Sequence, residues 1–297
     1  GSCCSRPWRC HTPHTMDASI FSAPKIDCHC HVFDPELFPY TPGVFYAPSG
    51  GEIATADYFM QVMSAYGVSH ALLVGPNSGY GTDNRCMLDA IRRGGPRFKG
   101  IAVVENDASA SQLQDLRAQG VVGIAFNMAL LGLAHYADAD ALWERIAALG
   151  MCVQVQVQDD QMAELAPRLM GCGAQIVVDH HGRPDIARGL ASPGFDALLR
   201  MADSGRCAVK LSGYDKFSRQ ALPFADAQPF TDALLSAFGP ANCLWGSDWP
   251  NIRATRRLDY GTLLGVFMRS VPSEADRRAI LVDTPTRLFG FESGGSN

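Results

Sequence analysis

Eight short apolar runs recur along the chain, at 25–32, 69–76, 98–104, 121–127, 151–157, 174–180, 207–213 and 243–249. Most are nearly continuous in Val, Ile and Leu, as parallel strands covered on both faces require. Between them, apolar residues return at helical spacing over 55–66, 83–93, 109–118, 139–149, 161–170, 195–202, 230–238 and 258–271. In the first of these, Tyr58, Phe59, Val62 and Met63 form one stripe, and Thr55 or Asp57 is placed to cap it. Gly67, Gly94, Gly120, Gly150, Gly205 and Gly239 each stand near a helix end, where glycine supplies the left-handed residue that stops a helix. Eight strands alternating with eight helices, with no Pro/Ser/Gly-rich linker, predict a single-domain (β/α)8 barrel of the TIM type. A doubly wound open sheet is the alternative. It more often carries a GxGxxG turn after the first strand, and none is present.

Composition narrows the class of partner. The 297 residues are 47% hydrophobic and 19% charged, enough for one large core. A net charge of −5 argues against nucleic acid or an acidic membrane as the main partner. No apolar run approaches the ~20 residues that span a bilayer. Of ten cysteines, Cys28, Cys30, Cys152, Cys207 and Cys243 lie in the strand runs and Cys86 and Cys172 in helical segments. With no CxxC pair, a reduced, cytoplasmic enzyme acting on a small molecule is expected, with a homodimer open. Residues 1–15 differ from the rest. Cys3, Cys4, Cys10, His11 and His14 crowd before Met16, without the apolar stretch of a signal peptide. They are expected to be a tag or leader outside the domain of residues 16–297.

The chemistry concentrates at strand ends. In Lys25-Ile26-Asp27-Cys28-His29-Cys30-His31-Val32, strict alternation places Asp27, His29 and His31 on one face and Ile26, Cys28, Cys30 and Val32 on the other. Two imidazoles there can hold a metal, bind an anion or polarise a carbonyl, or be a chance pair. Asp179-His180-His181-Gly182-Arg183-Pro184 follows the sixth run, and Gly246-Ser247-Asp248-Trp249-Pro250 closes the eighth. A barrel gathers the C-terminal ends of its strands, so His29, His31, His180 and Asp248 converge although distant in sequence. The loop 34–51 follows the first strand and overhangs the same end. Its Phe38, Tyr40, Phe45 and Tyr46 either line a pocket or pack the loop.

These three motifs, together with Leu281-Val282-Asp283-Thr284-Pro285-Thr286-Arg287-Leu288-Phe289-Gly290-Phe291, resemble the amidohydrolase superfamily. Within it they are similar to the amidohydrolase-2 group that includes 2-pyrone-4,6-dicarboxylate lactonase and sugar lactonases, over about residues 25–291. The resemblance implies a lactone hydrolase in which Asp248 is general base toward water and His29, His31 and His180 polarise the carbonyl. Ester cleavage independently needs a base near the water and donors at the developing oxyanion. It leaves open a metal-dependent decarboxylase of the aminocarboxymuconate-semialdehyde type, a sugar-acid lactone isomerase, or a barrel that binds without turnover.

Departures from the family pattern shape two further expectations. Many amidohydrolases use a strand-four Lys or Glu and a strand-five His to bridge two metals. Here 122–127 and 153–158 offer neither, so a bridged two-metal centre is not expected. The relatives that the motifs resemble best use no metal, which implies no required cofactor, the alternative being one Zn2+ on His29, His31, His180 and Asp248. The segment 125–131 lacks the arginines with which the pyrone-dicarboxylate enzyme binds carboxylates, which argues against a dicarboxylate substrate. Candidate substrate contacts are Asn127, Gln154, Gln156, Tyr46, Asn77 and Ser78, with Tyr80 beside them. Arg183 either binds one acidic group or pairs with Asp179 or Asp185. Lys210, which shares a face with Ser212, either works in the site, as a lysine inside a barrel rarely stands idle, or pairs with Asp27 or Asp248.

Overall fold

A computed structural model describes residues 17–292. The predicted leader with Cys3, Cys4, Cys10, His11 and His14 lies outside the described residues. All eight predicted strands form: β1 Lys25–Cys30, β2 Val68–Val74, β3 Phe98–Ala102, β4 Val121–Asn127, β5 Cys152–Gln156, β6 Gln175–Val178, β7 Cys207–Lys210 and β8 Cys243–Leu244. They pair in parallel, in sequence order. The crossover helices are α1 Ala56–Ala65, α2 Arg85–Gly94, α3 Ala110–Ala118, α4 Asp140–Ala148, α5 Gln161–Gly171, α6 Pro193–Met201, α7 Gln228–Phe238 and α8 Tyr260–Ser270. The chain is a (β/α)8 barrel. Thr55 caps α1 by accepting the Tyr58 N–H, and Ser109 with Gln112 forms a reciprocal capping box on α3. Among the described residues no helix is long and apolar enough to cross a membrane.

β8 is only two residues long, so the ladder between β8 and β1 is completed by the loop that follows it. The Cys28 N–H donates to Trp245 O (3.0 Å), the Asp248 N–H to His29 O (2.7 Å) and the His31 N–H to Trp249 O (2.8 Å). Ile26, Leu72, Ile101, Cys152, Val177, Ala208 and Leu244, with Val122 against them, give one side chain from every strand to a common apolar cluster. That cluster fills the barrel, and Phe289 and Phe291 of the C-terminal tail join it. A second, larger cluster lies between the strands and the helices.

Two expectations need correction. The alternation in β1 is broken. Asp27 pairs with Ala71 and Cys30 with Leu73, so Cys28 and His29 both stand opposite Leu72. This bulge shifts the phase of the strand by one residue. Asp27 therefore faces outward, toward Ser247 and Tyr260, while His29 faces inward, away from Asp27. At the end of α2, Gly95 rather than Gly94 takes positive φ (58°). Gly94 answers a packing demand instead: a Cβ there would meet the Phe98 ring at 2.2 Å.

Removing the aromatic seal at the base tests the inner cluster. Phe289→Ala is expected to lower stability by roughly 3 kcal/mol, read as a reduced urea midpoint with an unchanged slope.

Candidate active site

The barrel's C-terminal end opens into a cavity of about 420 Å³. His29, His31, His180 and Asp248 lie at its base, all buried. The bulge turns both β1 histidines inward. His31 Nδ1 donates to Val74 O at 2.8 Å, which leaves Nε2 facing Asp248 Oδ1 at 3.3 Å. His180 follows β6 in a left-handed conformation (φ 52°), and its Nδ1 meets Ser212 Oγ at 2.9 Å. Asp248 is also left-handed (φ 58°), a backbone state that costs energy and clusters at functional sites. Its Oδ1 lies 3.5 Å from His29 Nε2 and 3.9 Å from His180 Nε2. Two glycines make room for these rings: a Cβ at Gly246 would meet His29 Cβ at 2.5 Å, and one at Gly213 would meet the His180 ring at 2.5 Å.

Charge in the site is arranged in pairs. Lys216 Nζ is 2.9 Å from Asp248 Oδ2. Burial pushes the Asp248 carboxyl up, but its surroundings, the Lys216 ammonium foremost, more than offset that and hold the group well below the usual carboxylate range. Burial drives His180 well down, against Asp248. It also drives His29 down, with Lys210 adding to the effect and Asp179 opposing it. Both rings are therefore neutral near pH 7. His181 is structural. It donates Nδ1–H to Ser212 O (2.9 Å) and meets Thr231 Oγ1 through Nε2 (3.0 Å), and burial lowers it to about 4.

Among the other predicted residues, Asn77, Ser78, Asn127, Gln156 and Arg183 line the cavity. Asn127 Oδ1 also accepts the Leu130 N–H (3.0 Å). Gln154 lies beneath the cavity, donating to Asp179 Oδ2 (3.0 Å) and accepting from Lys210 (2.7 Å). Tyr46 is not among the lining residues; its hydroxyl donates to Glu52 (2.5 Å), and its neighbour Phe45 lines the mouth. Tyr40 and Tyr80 pack with Phe33, so most of the aromatic loop is packing. Arg183 pairs with neither Asp179 nor Asp185. Those two are taken by Lys210 (3.0 Å) and Arg219 (3.1 Å), and among the described residues Arg183 Nε is buried without a partner. Lys210 bonds to neither Asp27 nor Asp248, because the bulge sends Asp27 outward. Lys216, Asp215 and Arg253 line the cavity and were not anticipated. Lys216 sits in the loop after β7, the right address in a barrel, but no periodicity marks it.

The amidohydrolase family model matches residues 26–291. The chain belongs to the amidohydrolase family. It is 33% identical over 292 residues to the 4-sulfomuconolactone hydrolase of Rhizobium radiobacter, covering 95% of this chain and 96% of that protein. It superposes with TM-score 0.83 and 29% identity on a probable 2-pyrone-4,6-dicarboxylic acid hydrolase from Acinetobacter baumannii solved with citric acid bound, covering 90% of this chain and 99% of that one. An amidohydrolase from Burkholderia multivorans solved with bound Zn shares the fold, with TM-score 0.69 and 19% identity, covering 91% and 100%. This amidohydrolase is a hydrolase of that family.

The expectation of an enzyme without a cofactor is corrected here. One ligand atom each from buried His29, His180 and Asp248 lie within 4.8 Å of one another. Two neutral imidazoles and a carboxylate form a three-ligand set of the kind that leaves a position open on a catalytic zinc. His180 is further held from behind by Ser212, as metal-bound histidines are. The donors fit a divalent ion, and a metal-dependent amidohydrolase is more consistent with the site. His31 falls outside this group, so the four-ligand alternative reduces to three. Ser212→Ala, which frees the His180 ring, is expected to weaken zinc binding roughly 10- to 100-fold, measured by competition with a chromophoric chelator.

Proposed function

We propose that this amidohydrolase hydrolyses a lactone bearing one acidic group. The observation that carries the reading is Asp248, ionised and within 3.3 to 3.9 Å of three imidazoles at the floor of the cavity. The names of the relatives, one a muconolactone hydrolase, support the same chemistry.

Water adds to the lactone carbonyl carbon as Asp248 takes its proton. The tetrahedral carbon then expels the ring oxygen, which receives that proton, and the product is an open hydroxy acid. A divalent ion held by His29, His180 and Asp248 would polarise the carbonyl and acidify the water. That assistance matters because a carboxylate held at low pKa is a weak base toward water. His31 already donates Nδ1–H to Val74 O, so it can donate from Nε2 to the carbonyl oxygen only as the imidazolium, beside the Asp248 carboxylate at 3.3 Å. Of the three cations that line the cavity, Lys216 is paired with Asp248 and Arg253 lies over the Phe45 and Tyr46 rings, which leaves Arg183 to meet an acid group. Ala125, Ala129 and Leu130 make part of its lining apolar, with no Arg in 125–131. That asymmetry suits one acid group rather than two, with Asn127, Gln156, Asn77 and Ser78 as neutral contacts. Gln154 and Tyr46, spent elsewhere, drop out of the contact set.

Asp248→Asn is expected to lower kcat for lactone opening roughly 10²- to 10⁴-fold in a protein that still folds. Unchanged turnover would sink this assignment, and release of carbon dioxide from a carboxylated substrate would replace it with decarboxylation. Arg183→Met is expected to raise KM roughly 10- to 100-fold for an acid-bearing lactone, as loss of a buried charged hydrogen bond does, and to leave a neutral lactone unaffected. Steady-state kinetics on matched charged and neutral lactones separates the two.

A further inference from the structure

Beneath the cavity, Lys210 is fully buried on β7. Its Nζ is 2.7 Å from Gln154 Oε1 and 3.1 Å from His29 Nδ1, both hydrogen bonds. It is 3.0 Å from Asp179 Oδ1, an ion pair without hydrogen-bond alignment, so Asp179 Oδ1 is buried with no donor among the described residues. The other Asp179 oxygen accepts from Gln154 Nε2 at 3.0 Å, which fixes the orientation of that amide. Asp179 Oδ1 in turn lies 3.3 Å from His29 Nδ1.

His29 Nδ1 thus stands between a donor and an acceptor. An ammonium has three N–H groups and no lone pair. Its bond to Nδ1 requires a bare nitrogen there, so a neutral His29 carries its proton on Nε2, toward Asp248. In that form Nε2 has no lone pair for a metal. The other tautomer puts the proton on Nδ1, gives the orphaned Asp179 oxygen its donor and bares Nε2. That arrangement is the carboxylate–histidine–metal relay.

We propose that Lys210 is a positioning residue that holds His29 with its proton on Nε2 in the metal-free protein. Binding of a divalent ion at His29, His180 and Asp248 moves the proton to Nδ1, where Asp179 accepts it. Each state leaves one buried partner unsatisfied, the Asp179 oxygen without metal and the Lys210 N–H with it. Lys210 therefore weakens the centre's hold on its ion. The inference rests on the metal-site reading and is independent of the lactone reading.

Nitrogen-15 spectra of histidine-labelled, metal-free protein test it directly, with His29 assigned by substitution. The expected result is His29 with Nε2 protonated and Nδ1 bare, reversing when zinc is added. Lys210→Met is expected to show Nδ1–H without metal and to bind zinc about tenfold more tightly, as relief of one unsatisfied buried group does, read by chelator competition. A merely structural lysine would give the opposite, a loosened site and weaker zinc binding. Protonated Nδ1 in the metal-free wild-type protein overturns the proposal, and that spectrum decides even if the variant does not fold. Unchanged or weaker zinc binding in a folded Lys210→Met also overturns it. Tighter binding with an unchanged tautomer does so too, assigning the effect to charge alone.

Discussion

The seam between the first and last strands hangs on one buried carboxylate. Asp27 accepts from the His29 N–H (3.1 Å), the Ser247 N–H (3.0 Å), the Ser247 hydroxyl (2.5 Å) and the Tyr260 hydroxyl (2.8 Å). β8 is too short to close the barrel by itself, and this clamp adds to the backbone bonds that the following loop makes across the seam. The same contacts fix the loop that carries Asp248 against the strand that carries His29 and His31. Burial pushes the Asp27 carboxyl upward while Ser247, His29 and Tyr260 pull against it. Losing it would strand several buried donors together, the situation in which a polar interior is most fragile.

Above the clamp, charges stack in two tiers. Lys210 faces Asp179 in the lower tier and Lys216 faces Asp248 in the upper. The rings of His29 and His180 lie between them, 4.5 Å apart by centroid, and burial keeps both uncharged. Each tier thereby compensates its own carboxylate, so neither aspartate is an isolated charge in a dry interior. The price is preorganisation by strain: His180, His181, Arg183 and Asp248 all sit at positive φ, and the surrounding packing holds them there.

Much of this was legible in the sequence. Unbroken apolar runs announce parallel strands because both their faces are covered, and all eight formed where the runs fell. His29, His31, His180 and Asp248 could be gathered because a barrel brings strand ends together whatever their separation. The phase of β1 was not legible: alternation presumes a regular strand, and one extra residue inverts it. That error propagated to Lys210, whose partners depend on which way Asp27 points. Tyr46 and Phe45 are neighbours in an irregular loop, where no period says which ring faces the cavity. The cofactor expectation followed the relatives that the motifs resemble, whereas the donors themselves, two imidazoles and a carboxylate, are a set able to hold a single ion.

The clamp also has a meaning in time. Asp27 and Ser247 are 220 positions apart, so the contact that assembles the site is among the most non-local the chain can make. Closing such a loop costs entropy before any contact rewards it. A growing chain can stack its early βα units as they emerge, but it cannot build the floor of the cavity until Asp248 has been synthesised. Chemistry in this barrel thus arrives last, as a property of the finished circle rather than of any arc of it.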